Sequence, residues 1–133
     1  MKNPLLKRIL IFFIAINGVF LKFAYAESIG GGSSGSEKII KHQRCYLISY
    51  YTQQAIVMRY SGFSRFEMMS FFKNITSADV PDELAHVNNE ALLGVDKYID
   101  EAFEVDFLSD ESEAEKLINR KKDLAYSQCM SIK

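Results

Sequence analysis

The chain has 133 residues, 48% hydrophobic and 25% charged, with two cysteines and no tryptophan, a composition suited to one small core. The formal charge of −1 conceals a segregation: the first 26 residues hold four bases and no acid, leaving 12 bases against 17 acids, or −5, in the rest. A balance this acidic disfavours nucleic acid as a partner and permits a basic protein.

The N-terminus reads "MKNPLLKRILIFFIAINGVFLKFAYAES". Lys2, Lys7 and Arg8 precede an apolar stretch over residues 9–21, and small residues Ala24 and Ala26 stand where a signal peptidase reads. The pattern predicts a cleaved secretory signal peptide over 1–26 and a periplasmic or secreted product. A membrane anchor is the rival, but the run falls short of the roughly 20 apolar residues a span requires, and Lys22 interrupts its far end. Residues 27–36, containing "SIGGGSSGS", are too poor in apolar surface to order and read as a tether. They lack the strand before, and the Gly-Lys-Ser/Thr after, that a phosphate-binding loop needs. A single helical domain is expected over 37–133.

The first helix is expected over 37–60, with Ser36 as N-cap and Gly62 just past its end. Cys45, Ile48, Tyr51, Ala55 and Met58 recur at helical spacing and mark its core face. In "GFSRFEMMSFFKNI", Ser64 and Glu67 form a capping box, with Phe63 and Met68 at the hydrophobic-staple positions, so a short helix should run over 65–74. Its Phe66, Met69, Phe71 and Phe72 imply a helix wedged into the core; the alternative is an exposed docking patch.

"SADVPDEL" signals a third helix with Pro81 in its first turn, extending to about residue 106 on an apolar face that includes Leu84, Val87, Ala91, Val95, Tyr98 and Ala102. Asp96, Asp100 and Glu104 step by four along another face, which one straight helix cannot wrap around a cation, so no metal is expected. "LSDESEAEKL" begins the last helix, capped by Ser109 or Ser112, with Glu111, Glu113 and Glu115 favoured by the helix dipole. Ala114, Leu117, Ile118, Ala125 and Cys129 continue the helical step to the end. No stretch shows sustained two-residue alternation.

The expected fold is therefore all-α: a small four-helix up-down bundle with a short second helix. In that arrangement Cys45, early in the ascending first helix, and Cys129, late in the descending last, lie at the same end and face inward. A disulfide between them should staple the two helices, as export permits. Zinc would need more ligands than His42 and His86 offer.

The early Cys45, the "VMRYSG" exit of the first helix and the closing "LAYSQC" carry a resemblance to small exported bacterial proteins, helical and bearing two cysteines, many of them without known function. In layout the chain is also similar to the periplasmic immunity proteins that neutralise type VI secretion amidase effectors. That resemblance implies a non-enzymatic, disulfide-bearing protein whose partner is another protein.

The residues themselves offer no nucleophile beside a base: both cysteines are assigned to the disulfide, and the two histidines stand apart on different helices. No enzyme activity and no cofactor are expected. Between residues 79 and 115 there are thirteen acids against the single base Lys97. From this segment Asp96, Asp100, Glu101, Glu104, Asp106, Asp110 and Glu111 are the candidate partner-binding residues, able to steer a basic periplasmic enzyme. The alternative function, a periplasmic stress protein or holdase chaperone, rests on the Phe- and Met-rich second helix.

Overall fold

A computed structural model describes residues 33–133, with side chains from residue 35 onward. The expected signal peptide and most of the tether lie outside the described residues. Among the described residues there are five α-helices: α1 (Ser33–Tyr60), α2 (Arg65–Lys73), α3 (Ala85–Leu92), α4 (Val95–Glu104) and α5 (Glu111–Ser131). Two 3-10 turns, Ser77–Asp79 and Asp82–Leu84, connect α2 to α3, and the described residues contain no strand.

The all-α class is as expected, whereas the described residues form five α-helices where four were expected. The principal partner of α5 is α1, which also packs on α3 and α4, while α2 packs on α4. The reason α1 can take neighbours on several sides is its buried middle: every residue from 49 to 56 is buried, the polar Ser49, Thr52, Gln53 and Gln54 included. Tyr51 turns towards α3 and α4, giving its hydroxyl proton to Asn88 and lying 6.4 Å from the Tyr98 ring. On the opposite side Gln53 donates 3.3 Å to Asn119 of α5. Ser49 and Thr52 satisfy their hydroxyls within α1, on the carbonyls of Tyr46 and Ile48. Helical periodicity alone assigns one face to the core, but a central helix buries nearly its whole circumference.

Helix α1 starts at Ser33 rather than at 37, so Ser36 lies inside its first turns and is not its N-cap. Its exit is as expected. Gly62 has φ +87°, and the amides of Gly62 and Phe63 donate to the carbonyls of Arg59 and Met58, the paired bonds of a Schellman motif. Ser64 then caps α2: its hydroxyl oxygen accepts from the Glu67 amide at 3.2 Å, and the Glu67 carboxylate accepts from the Ser64 amide at 2.8 Å. The Ser64 amide, together with the Ser64 hydroxyl donating to the same carboxylate at 2.9 Å, holds the Glu67 carboxyl below the usual glutamate range. Met68 and Phe72 are fully buried, so α2 is wedged into the core, while Phe66 points outward and is 83% exposed.

The expected single helix from Pro81 to residue 106 is broken. Pro81 precedes a 3-10 turn and accepts from the Leu84 amide; α3 begins only at Ala85 and stops at Leu92. The chain resumes as α4 after Leu93 and Gly94. The cause is Tyr98, whose buried hydroxyl donates to the Ala91 carbonyl at 2.6 Å, a carbonyl that also takes the Gly94 amide. A side chain at position 94 would collide with that hydroxyl, since a Cβ built there lies 2.5 Å from it. The break therefore needs glycine for space, not for an unusual φ.

Helix α5 is capped by Asp110, not by Ser109 or Ser112: the Asp110 carboxylate accepts from the Glu113 amide at 2.9 Å. Aspartate caps as well as serine and adds a negative charge to the helix N-terminus. Of the α5 face only Ala114 is fully buried, with Leu117, Ile118 and Ala125 half-buried. The Cys45–Cys129 disulfide, whose Cα atoms are 5.4 Å apart, adds a covalent tie between α5 and α1. Around it, His42 bonds Tyr126, their rings edge to face at 5.5 Å, and Lys41 donates to the Ile132 carbonyl.

Candidate functional site

The C-terminal half of α4 and the loop over 105–110, which carry Asp100, Glu104 and Asp106, lie beside the C-terminus of α1 and the start of α2. Tyr60, at the last position of α1, anchors that loop. Its hydroxyl donates to the Asp106 carbonyl at 2.6 Å and accepts from the Leu108 amide at 3.0 Å. The Tyr60 ring stacks on Phe107 at 4.8 Å with the planes 16° apart, yet Phe107 remains 63% exposed. Beside it, the guanidinium groups of Arg59 and Arg65 both stand over the Phe103 ring, at 4.5 and 4.6 Å. Arg65 also pairs with Asp100.

Each of the expected partner-binding residues has a definite place. Asp96, Asp100, Glu104, Asp106, Asp110 and Glu111 are exposed and Glu101 is half-buried. They are not equally available. Asp100 is held by Arg65, Glu101 lies 3.8 Å from Lys97, and Asp110 is committed to capping α5. The carboxylates of Asp96, Glu104 and Asp106 form no ion pair with another described residue, so they carry the uncompensated charge of this surface. Among the described residues no group of three or more histidines, cysteines or acids is close enough to hold a metal ion.

Sequence reasoning missed the aromatic part of this site. Phe107 lies outside every helix, so periodicity has no hold on it. The available signal was local: an isolated phenylalanine in "EVDFLSD", flanked by acids and followed by a helix cap, is badly placed to reach a core. His42 proves structural through Tyr126, and His86 is exposed on α3. The pKa of Tyr46, half-buried where α1 faces α5, is pushed up to about 12 by burial, and the Lys122 ammonium of α5 stands 5.6 Å from its ring.

Chemically, the arrangement offers one exposed aromatic ring with both acids and two arginines near it, on a braced scaffold. Exposed rings held rigid lose little entropy on binding, and unpaired carboxylates favour a cationic surface opposite them. No protein-family model matches the chain, and no curated protein or solved structure is significantly similar to it.

Proposed function

We propose that this is an exported, non-enzymatic protein-binding module that engages a basic partner through the acidic end carrying Phe107, and that its role is that of an immunity protein neutralising a periplasmic effector. The observation that carries the reading is Phe107, more than half exposed yet fixed by Tyr60, beside the unpaired carboxylates of Glu104 and Asp106. An aromatic anchor within a charged rim is the usual anatomy of a protein interface. The Cys45–Cys129 bridge is compatible with export, and no described helix is long and apolar enough to cross a membrane. The holdase alternative rests on apolar surface along α2, and most of that surface is lost because Met68 and Phe72 sit in the core.

The test is affinity capture from periplasmic extract with three proteins: wild type, Glu104→Lys with Asp106→Lys, and Phe107→Ala. A basic enzyme retained by wild type should be captured far less by either variant. Its association with the charge-reversed variant should be slower and less sensitive to salt. Capture of the same proteins by all three, at the same rates, would reject this surface.

A further inference from the structure

The surface around Phe107 carries a cation that its own carboxylates leave alone. Arg59 and Tyr60 are the last two residues of α1, and both reach one stretch of chain: Tyr60 the loop at 106–108, Arg59 the Phe103 ring near the end of α4. The Arg59 guanidinium carbon stands 4.5 Å from the centre of that ring, on a side chain that is half-buried. Its Nε is sealed from solvent and has no acceptor among the described residues. The two Nη groups also make no hydrogen bond or ion pair with a described residue, but neither is sealed. The outer edge of the guanidinium is therefore open. Arg65, over the same ring, differs in being paired with Asp100. Glu104 and Asp106 are exposed along the same stretch, yet neither forms an ion pair with Arg59.

A partner seated on Phe107 takes water away from the groups around it. A guanidinium that loses water without gaining an acceptor is strongly unfavourable. Only the Nη edge of Arg59 is free to meet one, and two parallel N–H groups match the two oxygens of a single carboxylate. A free multivalent oxyanion fits less well, because Glu104 and Asp106 repel it, whereas a carboxylate fixed on a protein is carried in by the rest of the interface. We infer that the protein docking on Phe107 is not uniformly basic: it places one carboxylate on the Nη edge of Arg59, among the bases that face Glu104 and Asp106. The inference rests on the protein-binding reading and sharpens it. Arg59 becomes a specificity-determining residue, at which a surface bearing only lysine and arginine is rejected by like charge.

The experiment is an NMR titration of the disulfide-bonded protein, observing backbone amides and arginine side chains, with the probes acetyl-Lys-Phe-Glu-amide, acetyl-Lys-Phe-Gln-amide and inorganic phosphate. The two peptides share a base and a ring and differ in one carboxylate. Both should shift amides at 59–60 and 103–108, with the Glu peptide bound about fivefold more tightly, the size of one exposed ion pair. Only the Glu peptide should shift the Arg59 side chain. Arg59→Gln should abolish the preference while leaving the Gln peptide's affinity and the dispersed spectrum unchanged, and Arg65→Gln should leave the preference in place. Phe107→Ala should weaken both peptides alike. Both peptides unaffected by Phe107→Ala would reject the docking surface and the inference with it. Equal affinity of the two peptides for wild type, together with weakening in Phe107→Ala, would overturn the inference and leave the surface standing. A preference that survives Arg59→Gln, no saturable shift with either peptide, or phosphate bound at Arg59 as tightly as the Glu peptide would also overturn it.

Discussion

Replacing Cys45 and Cys129 together with alanine should destabilise the protein by about 4.5 kcal/mol. The bridge closes a loop with a sequence separation of 84, and the chain-entropy relation gives a denatured-state loss of about 15 cal/mol/K for a loop of that length, hence about 4.5 kcal/mol at 25 °C. Domains of this size have roughly 5–15 kcal/mol of total stability, so the bridge supplies a third of it or more. With an unfolding entropy of about 2.1 cal/mol/K per residue over some hundred residues, the midpoint of thermal unfolding should fall by roughly 20 °C. Because Ala114 is the single fully buried residue of α5, that helix should loosen first, its amides exchanging with solvent before those of α1. The assay is a circular-dichroism melt of both proteins, with hydrogen exchange on the variant. A midpoint within about 5 °C of wild type, or α5 amides as protected as those of α1, would refute the reasoning.

Four further outcomes can be checked, three on variants and one by titration. Ser64→Ala removes the α2 cap and should cost about 1 kcal/mol in a denaturant melt; no change would mean the box of Ser64 and Glu67 is idle. Gly62→Ala should cost about 1 kcal/mol or more from backbone strain alone, since φ is +87° and a Cβ there meets nothing within 4 Å; a neutral result would contradict that conformation. Gly94→Ala should be clearly destabilising through the Tyr98 hydroxyl, and its cost should shrink in the Tyr98→Phe background; strict additivity would place the clash elsewhere. Burial raises the pKa of Tyr46, Tyr50, Tyr51 and Tyr98, so the folded state keeps protons that the unfolded chain releases near pH 10. Stability from these groups is complete below pH 10 and is lost as pH rises towards their folded values. Ultraviolet titration should show these phenols ionising only with alkaline unfolding; ordinary reversible ionisation near pH 10 in a folded protein would contradict their burial.

Much of the local structure was legible because it depends on neighbours in sequence. The Ser64–Glu67 box, the glycine at 62 and the three- and four-residue apolar steps each name their own partners within one or two turns. The disulfide was legible because helical register and chain direction fix both depth and facing. What escaped was set by tertiary contacts. Gly94 is a local signal that a helix can either tolerate or end at; what fixes the break is a Tyr98 hydroxyl that occupies the Ala91 carbonyl. The polar run "TQQ" within α1 reads as a solvated face until helices cover it on several sides, and that covering is what makes Gln54 a buried acceptor. At the acidic end the charges were readable by counting. Which of them are neutralised was not, because Arg65 reaches Asp100 from another helix. The choice of Asp110 over its serine neighbours was a matter of one residue's register.

Binding of a protein partner at the acidic end carrying Phe107 is tested most directly by site-specific photocrosslinking in cells. A photoreactive phenylalanine analogue at Phe107 is compared with one at Leu124, which is also exposed but belongs to α5. A crosslink is expected at position 107 to one basic protein, abolished when Glu104 and Asp106 are reversed to lysine, with none to that protein from position 124. A crosslink to a partner from 124 with none from 107, or one at 107 indifferent to the charge reversal, would contradict it.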